Sequence, residues 1–166
     1  LIVLAAGVLG PLYQKLSLQQ MQDLAEGRNL AMAQVFQNSL RDSLDALMSD
    51  SVGQNPEFLE GSEEVRRLQA KVLGLMHDTA IVKIKIYNRL GNTVFTSDVG
   101  KIGDSSLGNP GFRSAIAGAI SSNLTHRDSI DSFEGTLAEV DILASYIPIR
   151  GKDQSVEGVF ELYQNV

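Results

Sequence analysis

Cysteine is absent from this chain of 166 residues. Without a thiol the chain has no thiolate nucleophile, no cysteine-based zinc site and no disulfide bond. Histidine is scarce too, because His77 and His126 are the two imidazoles available for metal binding or acid–base catalysis. The GxSxG, HExxH, P-loop and GxGxxG patterns of common hydrolases, metalloproteases and nucleotide-binding proteins do not occur. We therefore predict that the chain is not an enzyme and holds no cofactor.

Positive charge is also limited, since 14 Lys and Arg stand against 20 Asp and Glu and give a net charge of −6. The basic residues are scattered along the chain, whereas nucleic-acid binding requires them to be clustered. We predict no nucleic-acid partner. Acidic residues between positions 128 and 141 carry the oxygen ligands that Ca²⁺ prefers, but their spacing is not that of an EF-hand loop. A solvated acidic loop is favoured over a metal site there.

The first ten residues, LIVLAAGVLG, contain no polar side chain. A membrane-spanning helix needs about 20 apolar residues and a signal-peptide core about 7–15. We interpret residues 1–12 as the remnant of a transmembrane helix; the alternative is an N-terminal segment buried in a dimer interface or in the core. The last residues, VEGVFELYQNV, stop within a strand-like pattern. Together the two ends favour a piece of a longer receptor.

Residues 13–78 are predicted to form a helical region. Residues 13–51 contain no proline and one glycine, and apolar side chains recur in them at steps of three and four. One helix of this length extends about 55 Å at 1.5 Å per residue, which is more than one small domain covers. Part of it is expected to project toward the membrane or to pair with a second copy. Ser62, followed by two glutamates, is typical of the start of a second helix that ends near His77.

Residues 79–166 change to short β-rich runs separated by turn residues and are predicted to form an antiparallel-sheet core. Strands are expected at residues 81–88, 93–97, 120–127, 141–149 and 155–163, with one short helix beginning at Asn109 and Pro110. In the first strand, the alternation places Lys83, Lys85 and Tyr87 on one face, which we interpret as solvated for the lysines. The predicted fold class is α+β: two helices packed on a five-stranded antiparallel sheet with one inserted helix.

Several segments, in this order, resemble the extracytoplasmic Cache sensor domains of bacterial membrane receptors, which are PAS-like in fold. They are VKIKIYNRLGNTVFTSD, IGD at residues 102–104, NPGFRSAIAG at 109–118, LTHRDSIDSFEG at 124–135 and SYIPIRGKDQSVEGVFELYQNV at the end. The resemblance covers about half of the chain. It implies a single Cache domain with a ligand pocket on one face of the sheet, a periplasmic location, attachment to the membrane by flanking helices and a homodimer formed through the long N-terminal helix. It also implies a cytoplasmic output domain outside this chain, such as a histidine kinase or a diguanylate cyclase.

Five residues are candidates for ligand contacts in such a pocket: Phe112, Arg113, His126, Arg127 and Tyr146. His126 shares its strand phase with Leu124 and is expected to point inward. The arginines favour an organic anion as ligand, since a guanidinium binds a carboxylate through two parallel hydrogen bonds. The competing interpretations are a structural histidine, arginines exposed to solvent and a tyrosine that fills the core. For the chain as a whole, the alternative to a ligand sensor is a ligandless dimerisation module that relays signals from a separate binding protein.

Overall fold

The computed structural model of the chain describes residues 2–48, 62–98 and 102–166. Three helices and five strands occur in these ranges. In chain order they are α1 (Ile2–Leu47), α2 (Glu63–Met76), β1 (Ile81–Asn88), β2 (Thr93–Thr96), α3 (Pro110–Ile116), β3 (Ser121–Ser132), β4 (Gly135–Arg150) and β5 (Val156–Asn165).

The strands form one antiparallel sheet in the order β2-β1-β5-β4-β3. The C-terminal strand β5 is therefore central, with β1 on one side and β4 on the other. The predicted α+β fold class is confirmed, with a long N-terminal helix, a second helix, a five-stranded antiparallel sheet and one short inserted helix.

The main hydrophobic core lies between α1, α2 and one face of the sheet. Phe36, Leu40 and Leu44 of α1 are fully buried, and the ring centroid of Phe36 lies 6.3 Å from that of Phe160 on β5. These α1 positions recur at intervals of four residues, so they form one stripe along the helix. Other buried members of this core are Leu68, Val72, Met76, Ile81, Ile84, Ile86, Val94, Phe95, Ile147, Ile149 and Leu162.

The short helix α3 covers part of the opposite face of the sheet. Asn109 caps it, and its side-chain Oδ1 accepts from the backbone N–H groups of Gly111 at 2.8 Å and Phe112 at 3.3 Å. Pro110 suits the first helical turn because its missing N–H would have no helical partner there. A second, smaller cluster of buried side chains forms under α3: Tyr87, Phe112, Ala115, Tyr146 and Val159.

The boundaries of α1 differ from the prediction of residues 13–51, because α1 begins at Ile2 and ends at Leu47. The predicted helix-breaking residues Gly53, Asn55 and Pro56 lie outside the described residues. The second helix ends as expected, with His77 as its C-cap residue and the Ser62 hydroxyl accepting from the Val65 N–H at its start. No helix within the described ranges contains an apolar stretch long enough to span a membrane.

Strands β3 and β4 are longer than the predicted ranges 120–127 and 141–149. Strand β3 continues to Ser132, and β4 already begins at Gly135. The two strands pair in a single register from Ser121↔Tyr146 to Ser132↔Gly135. The sequence missed this extension because residues 128–140 are mostly exposed, so neither face carries the apolar alternation that predicts a half-buried strand.

The assignment of the β1 lysines to a solvated face was wrong. Lys83 is 5% exposed, Lys85 is half-buried and Tyr87 is buried. The other β1 face, with Ile84 and Ile86, lies in the main core as the alternation predicted. Both faces of β1 are covered, because α1 and α2 pack on one side while the residues around α3 pack on the other.

Candidate functional site

A set of polar side chains is buried on the face of the sheet that α3 covers. Residues directly opposite each other on neighbouring strands project to the same face. Glu161 on β5 is opposite Lys85 on β1 and Tyr146 on β4. The adjacent residue Ser145 projects to the other side, where its hydroxyl accepts from Asn29 Nδ2 of α1 at 2.8 Å.

Glu161 is the centre of this set and is 3% exposed. Its Oε1 accepts from the Tyr146 hydroxyl at 2.5 Å, and its Oε2 accepts from the Tyr87 hydroxyl. Asn109 Nδ2, at the start of α3, donates to the Tyr146 hydroxyl at 2.8 Å. The carboxylate therefore links β1, β4 and β5, and through Tyr146 it also links the sheet to α3. Hydrogen bonds to a buried charged acceptor are stronger than those between neutral groups.

The phenols around Glu161 are held in their neutral form. Burial raises the pKa of Tyr87, Tyr146 and Tyr163, and the negative charge of Glu161 raises each of them further. For Tyr146, the hydrogen bond from Asn109 and the positive charge of Arg127 oppose this rise in pKa. Arg127 is exposed, and the β3–β4 register places it on the same face as Ser121, which is opposite Tyr146.

A buried ion pair lies beside the tyrosines. Lys83 Nζ is 2.5 Å from Asp98 Oδ2 and lies 5.8 Å from the centroid of the Tyr163 ring. The hydroxyl of Thr96 donates to Asp98. Burial acts to raise the pKa of Asp98, but the hydrogen bonds from Lys83 and Thr96 outweigh it and lower that pKa. Lys83 is thus buried because a carboxylate that follows β2 neutralises it.

The first turn of α3 lies directly on the ring of Tyr146. A Cβ atom at Gly111 would be 2.2 Å from Tyr146 Cδ2, so a side chain at this position requires the ring or the helix to move. Phe112 packs on the other ring of the cluster, with its centroid 5.7 Å from that of Tyr87 in an edge-to-face arrangement. The position of α3 and the positions of the two tyrosines are therefore mutually dependent.

The structure brings three of the five predicted site residues to this face. Phe112 and Tyr146 lie in the cluster under α3, and Arg127 is exposed on the face of β3 that Tyr146 shares. Arg113 is exposed on α3, whose buried side consists of Gly111, Phe112 and Ala115.

His126 does not point inward as expected. His126 is directly opposite Asp141 and shares a face with Leu124. Asp141 and Leu124 line a small cleft beneath α1. Its ring is exposed and meets two carboxylates, with Nδ1 at 2.8 Å from Asp141 and Nε2 at 3.4 Å from Glu139. The strand phase was correct, but His126 lies at the end of the sheet, opposite the residue just beyond the last β4–β5 pair, and its ring is exposed.

The central residues of the cluster were not among the predicted site residues: Tyr87, Asn109, Glu161 and Tyr163. Glu161 lies between Phe160 and Leu162, which belong to the main core, so an acid flanked by apolar residues in the middle of a strand was the available signal. Its partners come from distant parts of the chain and could not be identified by spacing. Within residues 2–48, 62–98 and 102–166, no three His, Cys, Asp or Glu side chains are placed to hold a metal ion.

The chain is similar to several solved protein structures. No protein-family model matches the chain, and no curated protein matches it. It is similar to the sensor domain of the Vibrio cholerae histidine kinase DctB, with 15% identity, a TM-score of 0.48 and coverage of 87% of this chain. This chain spans 57% of that domain.

Two further sensor domains show similarities of the same kind. For the Escherichia coli DcuS sensor domain the identity is 14% and the TM-score 0.44, with coverage of 81% of this chain and 91% of that one. For the sensory domain of the Campylobacter jejuni chemoreceptor Tlp3, solved with isoleucine bound, the values are 12% and 0.40, with 90% and 59% covered.

Proposed function

We propose that this chain is the extracytoplasmic sensor domain of a bacterial transmembrane signalling receptor. In this proposal a small molecule binds at the face of the sheet that α3 covers, and the change is passed to α1. In this proposal residues 1–12 are the remnant of one membrane helix, and the output domain, a histidine kinase or a diguanylate cyclase, is another part of the receptor.

The observation that carries the proposal is the buried polar cluster around Glu161. Burying a carboxylate, three phenols and a Lys–Asp pair on one sheet face is costly unless every group is paired. Stability alone would favour an apolar face of the same volume. Strongly perturbed ionisable groups gathered at one place are typical of binding sites.

We propose an organic anion as the ligand class. Arg127 supplies an exposed guanidinium on the face of β3 that Tyr146 shares, and Arg113 supplies a second exposed one on α3. A ligand carboxylate is suited to such groups, while its apolar part packs on Phe112. His126 is not included in this set, because it lies on the other face with Asp141.

The coupling to α1 is proposed to run through adjacent residues of β4. Tyr146 is part of the polar cluster, and Ser145 is hydrogen-bonded to Asn29 in the middle of α1. A shift of Tyr146 on ligand binding therefore acts on the strand segment that contacts α1. Farther along α1, Gln37 and Arg41 donate to the Arg150 carbonyl at 2.9 and 2.6 Å, which attaches the helix to the end of the same strand.

A thermal-shift screen of the chain with succinate, L-malate, citrate, L-leucine and glycerol tests the ligand class. We expect an anion to raise the melting temperature, because a ligand that binds only the folded state adds about 2.7 kcal/mol at a hundredfold excess over its Kd. Arg127→Ala is expected to weaken binding about tenfold or more. The matched control, Lys152→Ala, removes an exposed cation from the β4–β5 turn. Binding of an uncharged or cationic compound alone, or equal affinity in both variants, contradicts the proposed ligand class.

One observation favours the alternative of a ligandless relay module. The Tyr146 ring already occupies the space against Gly111, and Glu161 already accepts two tyrosine hydroxyls. In that case the cluster is a fixed connection between α3 and the sheet. A Tyr146→Ala variant separates the two functions, since a sensor loses its thermal-shift response to the anion, whereas a relay module responds to no compound before or after the change.

We further propose that the chain forms a parallel homodimer through α1. Opposite its buried stripe, α1 exposes Tyr13, Leu24 and Val35, of which 77%, 59% and 42% of the surface is accessible. These residues are separated by 11 positions each, or about three helical turns, so they lie along one line of the helix. Light scattering at about 100 μM tests this assembly. Leu24→Glu is expected to shift the chain to monomer, while the exposed control Gln34→Glu leaves the dimer intact.

A further inference from the structure

Beyond the end of the sheet, β3 and β4 continue as a two-stranded ribbon, defined here as residues 127–140. Strand β5 pairs with β4 from Ile142 onward, and the Val166 N–H donates to the Asp141 carbonyl at 3.0 Å, whereas β4 residues 135–140 pair with β3 alone in the described sheet. Most side chains of this ribbon are exposed. An isolated two-stranded hairpin is marginally stable in water, so the position of the ribbon depends on what its tip contacts.

The tip of the ribbon returns to the body of the domain at Phe133. The Phe133 N–H donates to the Val82 carbonyl of β1 at 3.3 Å, and its side chain packs against the edge of the main core. Beside this contact, a cleft of about 380 Å³ separates Ser132 and Thr136 of the ribbon from Leu73 of α2. Phe133 thus attaches the tip by one backbone hydrogen bond and one apolar side chain, and the cleft lies next to this attachment.

The base of the ribbon contains an unfavourable backbone conformation. The register of β3 and β4 continues unchanged on both sides of Asp128 and Glu139, but these two residues are not paired with each other and Glu139 has φ = 52°. A left-handed conformation is unfavourable for a glutamate and marks a position where the chain direction is imposed by its surroundings. His126 lies at the same place and contacts Glu139 and Asp141 with its two ring nitrogens.

The path of the ribbon determines what it covers. To reach β1 from β4, the tip must pass the end of β5, because β5 lies between those strands. At this end α1 occupies one side of the sheet, where Ala25 lines a cleft with Leu143 and Met32 lines another with Ile81. The cleft at the tip is lined by Asp131 of the ribbon and by Asp98, the buried partner of Lys83, so the ribbon lies beside the Lys83 end of the polar face.

We propose that the ribbon is a movable cover of the polar face, hinged at Asp128 and Glu139 and fastened by Phe133. This inference rests on the proposed function for its purpose: opening admits the ligand, and closing carries the signal to α2, which lines the cleft at the tip. The motion itself requires no ligand. It is a local opening, in which a segment with few buried contacts separates from a core that remains folded.

Hydrogen exchange on the 166-residue chain tests the motion without a ligand. In Phe133→Ala we expect amides of the ribbon to exchange about tenfold faster than in the unmodified chain, with the amides of β1 and β5 unchanged. Phe133→Leu keeps an apolar anchor and is expected to retain most of the protection. Leu107→Ala, which truncates an exposed side chain outside the ribbon, is the matched control and is expected to change neither region. Unchanged exchange in the ribbon, or equal acceleration in the ribbon and in β1 and β5, overturns the proposal.

Tyrosine fluorescence tests which face is covered. Three of the four tyrosines lie in the polar cluster, the chain has no tryptophan, and Tyr13→Phe removes the remaining phenol. In that background, Phe133→Ala is expected to increase acrylamide quenching, because Tyr163 becomes accessible when the ribbon opens. Faster ribbon exchange with unchanged quenching overturns the cover. A ligand screen with no hit removes the proposed function but leaves both of these measurements unaffected, so the two failures are distinguishable.

Discussion

The two faces of the sheet are built from alternating residues of the same strands, yet they bury different chemistry. On β5, Phe160 and Leu162 enter a core with α1 and α2, whereas Glu161 between them receives hydrogen bonds from two tyrosines. The first face is stabilised by removal of apolar surface from water, which needs no particular partner. The second is stable only while each polar group keeps its partner, so a small displacement there has a large energetic consequence.

This difference indicates that the two faces of the sheet differ in rigidity. The apolar face fixes α1 and α2 on the sheet over several turns of each helix, which gives a rigid base. The polar face places α3, a helix of seven residues, on a hydrogen-bond network in which Asn109 donates to Tyr146 and Tyr146 donates to Glu161. In the proposed sensor, a displacement on the polar face would move the apolar face as a unit.

Truncating the apolar face should have the largest effect. Phe36 is fully buried and packs on Phe160, so Phe36→Ala is expected to lower the free energy of unfolding by about 3–5 kcal/mol. Urea denaturation followed by circular dichroism measures this change. Gln34→Ala, at an exposed position of the same helix, should alter it by less than about 0.5 kcal/mol. A Phe36→Ala cost below about 1 kcal/mol would show that α1 is not held by this core.

Much of the apolar face was predictable from the sequence, because its signal is local. The alternation of Ile84 and Ile86 in β1 and the steps of four between Phe36, Leu40 and Leu44 in α1 are both visible without any tertiary information. The caps Ser62 and Asn109 likewise act within three residues of their own position. Such features are decided by neighbouring residues, so the order and type of the elements could be predicted.

The polar face was largely unpredictable, because its residues are explained only by distant partners. Lys83 is buried because Asp98 neutralises it, and Glu161 is buried because Tyr87 and Tyr146 donate to it across two strand pairs. Neither contact leaves a spacing that identifies it. His126 shows the complementary error, since its strand phase was correct but the sheet ended before it.

Alkaline pH should weaken the polar face specifically. Burial and the charge of Glu161 raise the pKa of Tyr87 above its value of about 10 in the unfolded chain. The neutral phenol is therefore retained in the fold, and its stabilising contribution is present below about pH 10 and declines as the pH rises above it. The decline is at most about 1.4 kcal/mol per pH unit for each such tyrosine.

Urea midpoints between about pH 9 and 11 measure this decline, and Tyr87→Phe isolates one phenol. The variant is expected to be less stable than the unmodified chain at neutral pH, by about 1.5–3 kcal/mol for a hydrogen bond to a charged acceptor. It should then lose less stability with rising pH. Parallel pH profiles for the two proteins would contradict the raised pKa of Tyr87.

The smallest effect is expected at His126, because its ring is exposed at the base of the ribbon and belongs to neither the main core nor the polar cluster. Hydrogen bonds to Asp141 and Glu139 raise the pKa of His126 above its usual 6.5. The imidazolium is favoured in the fold, so its contribution is fully present below pH 6.5 and is lost as the pH rises through the raised value. Melting temperatures of the unmodified chain and of His126→Gln should therefore differ more in mildly acidic buffer than in mildly alkaline buffer. High salt should reduce the difference, because exposed charges are screened. A constant difference across this pH range, or one that grows as the pH rises, would contradict the raised pKa of His126.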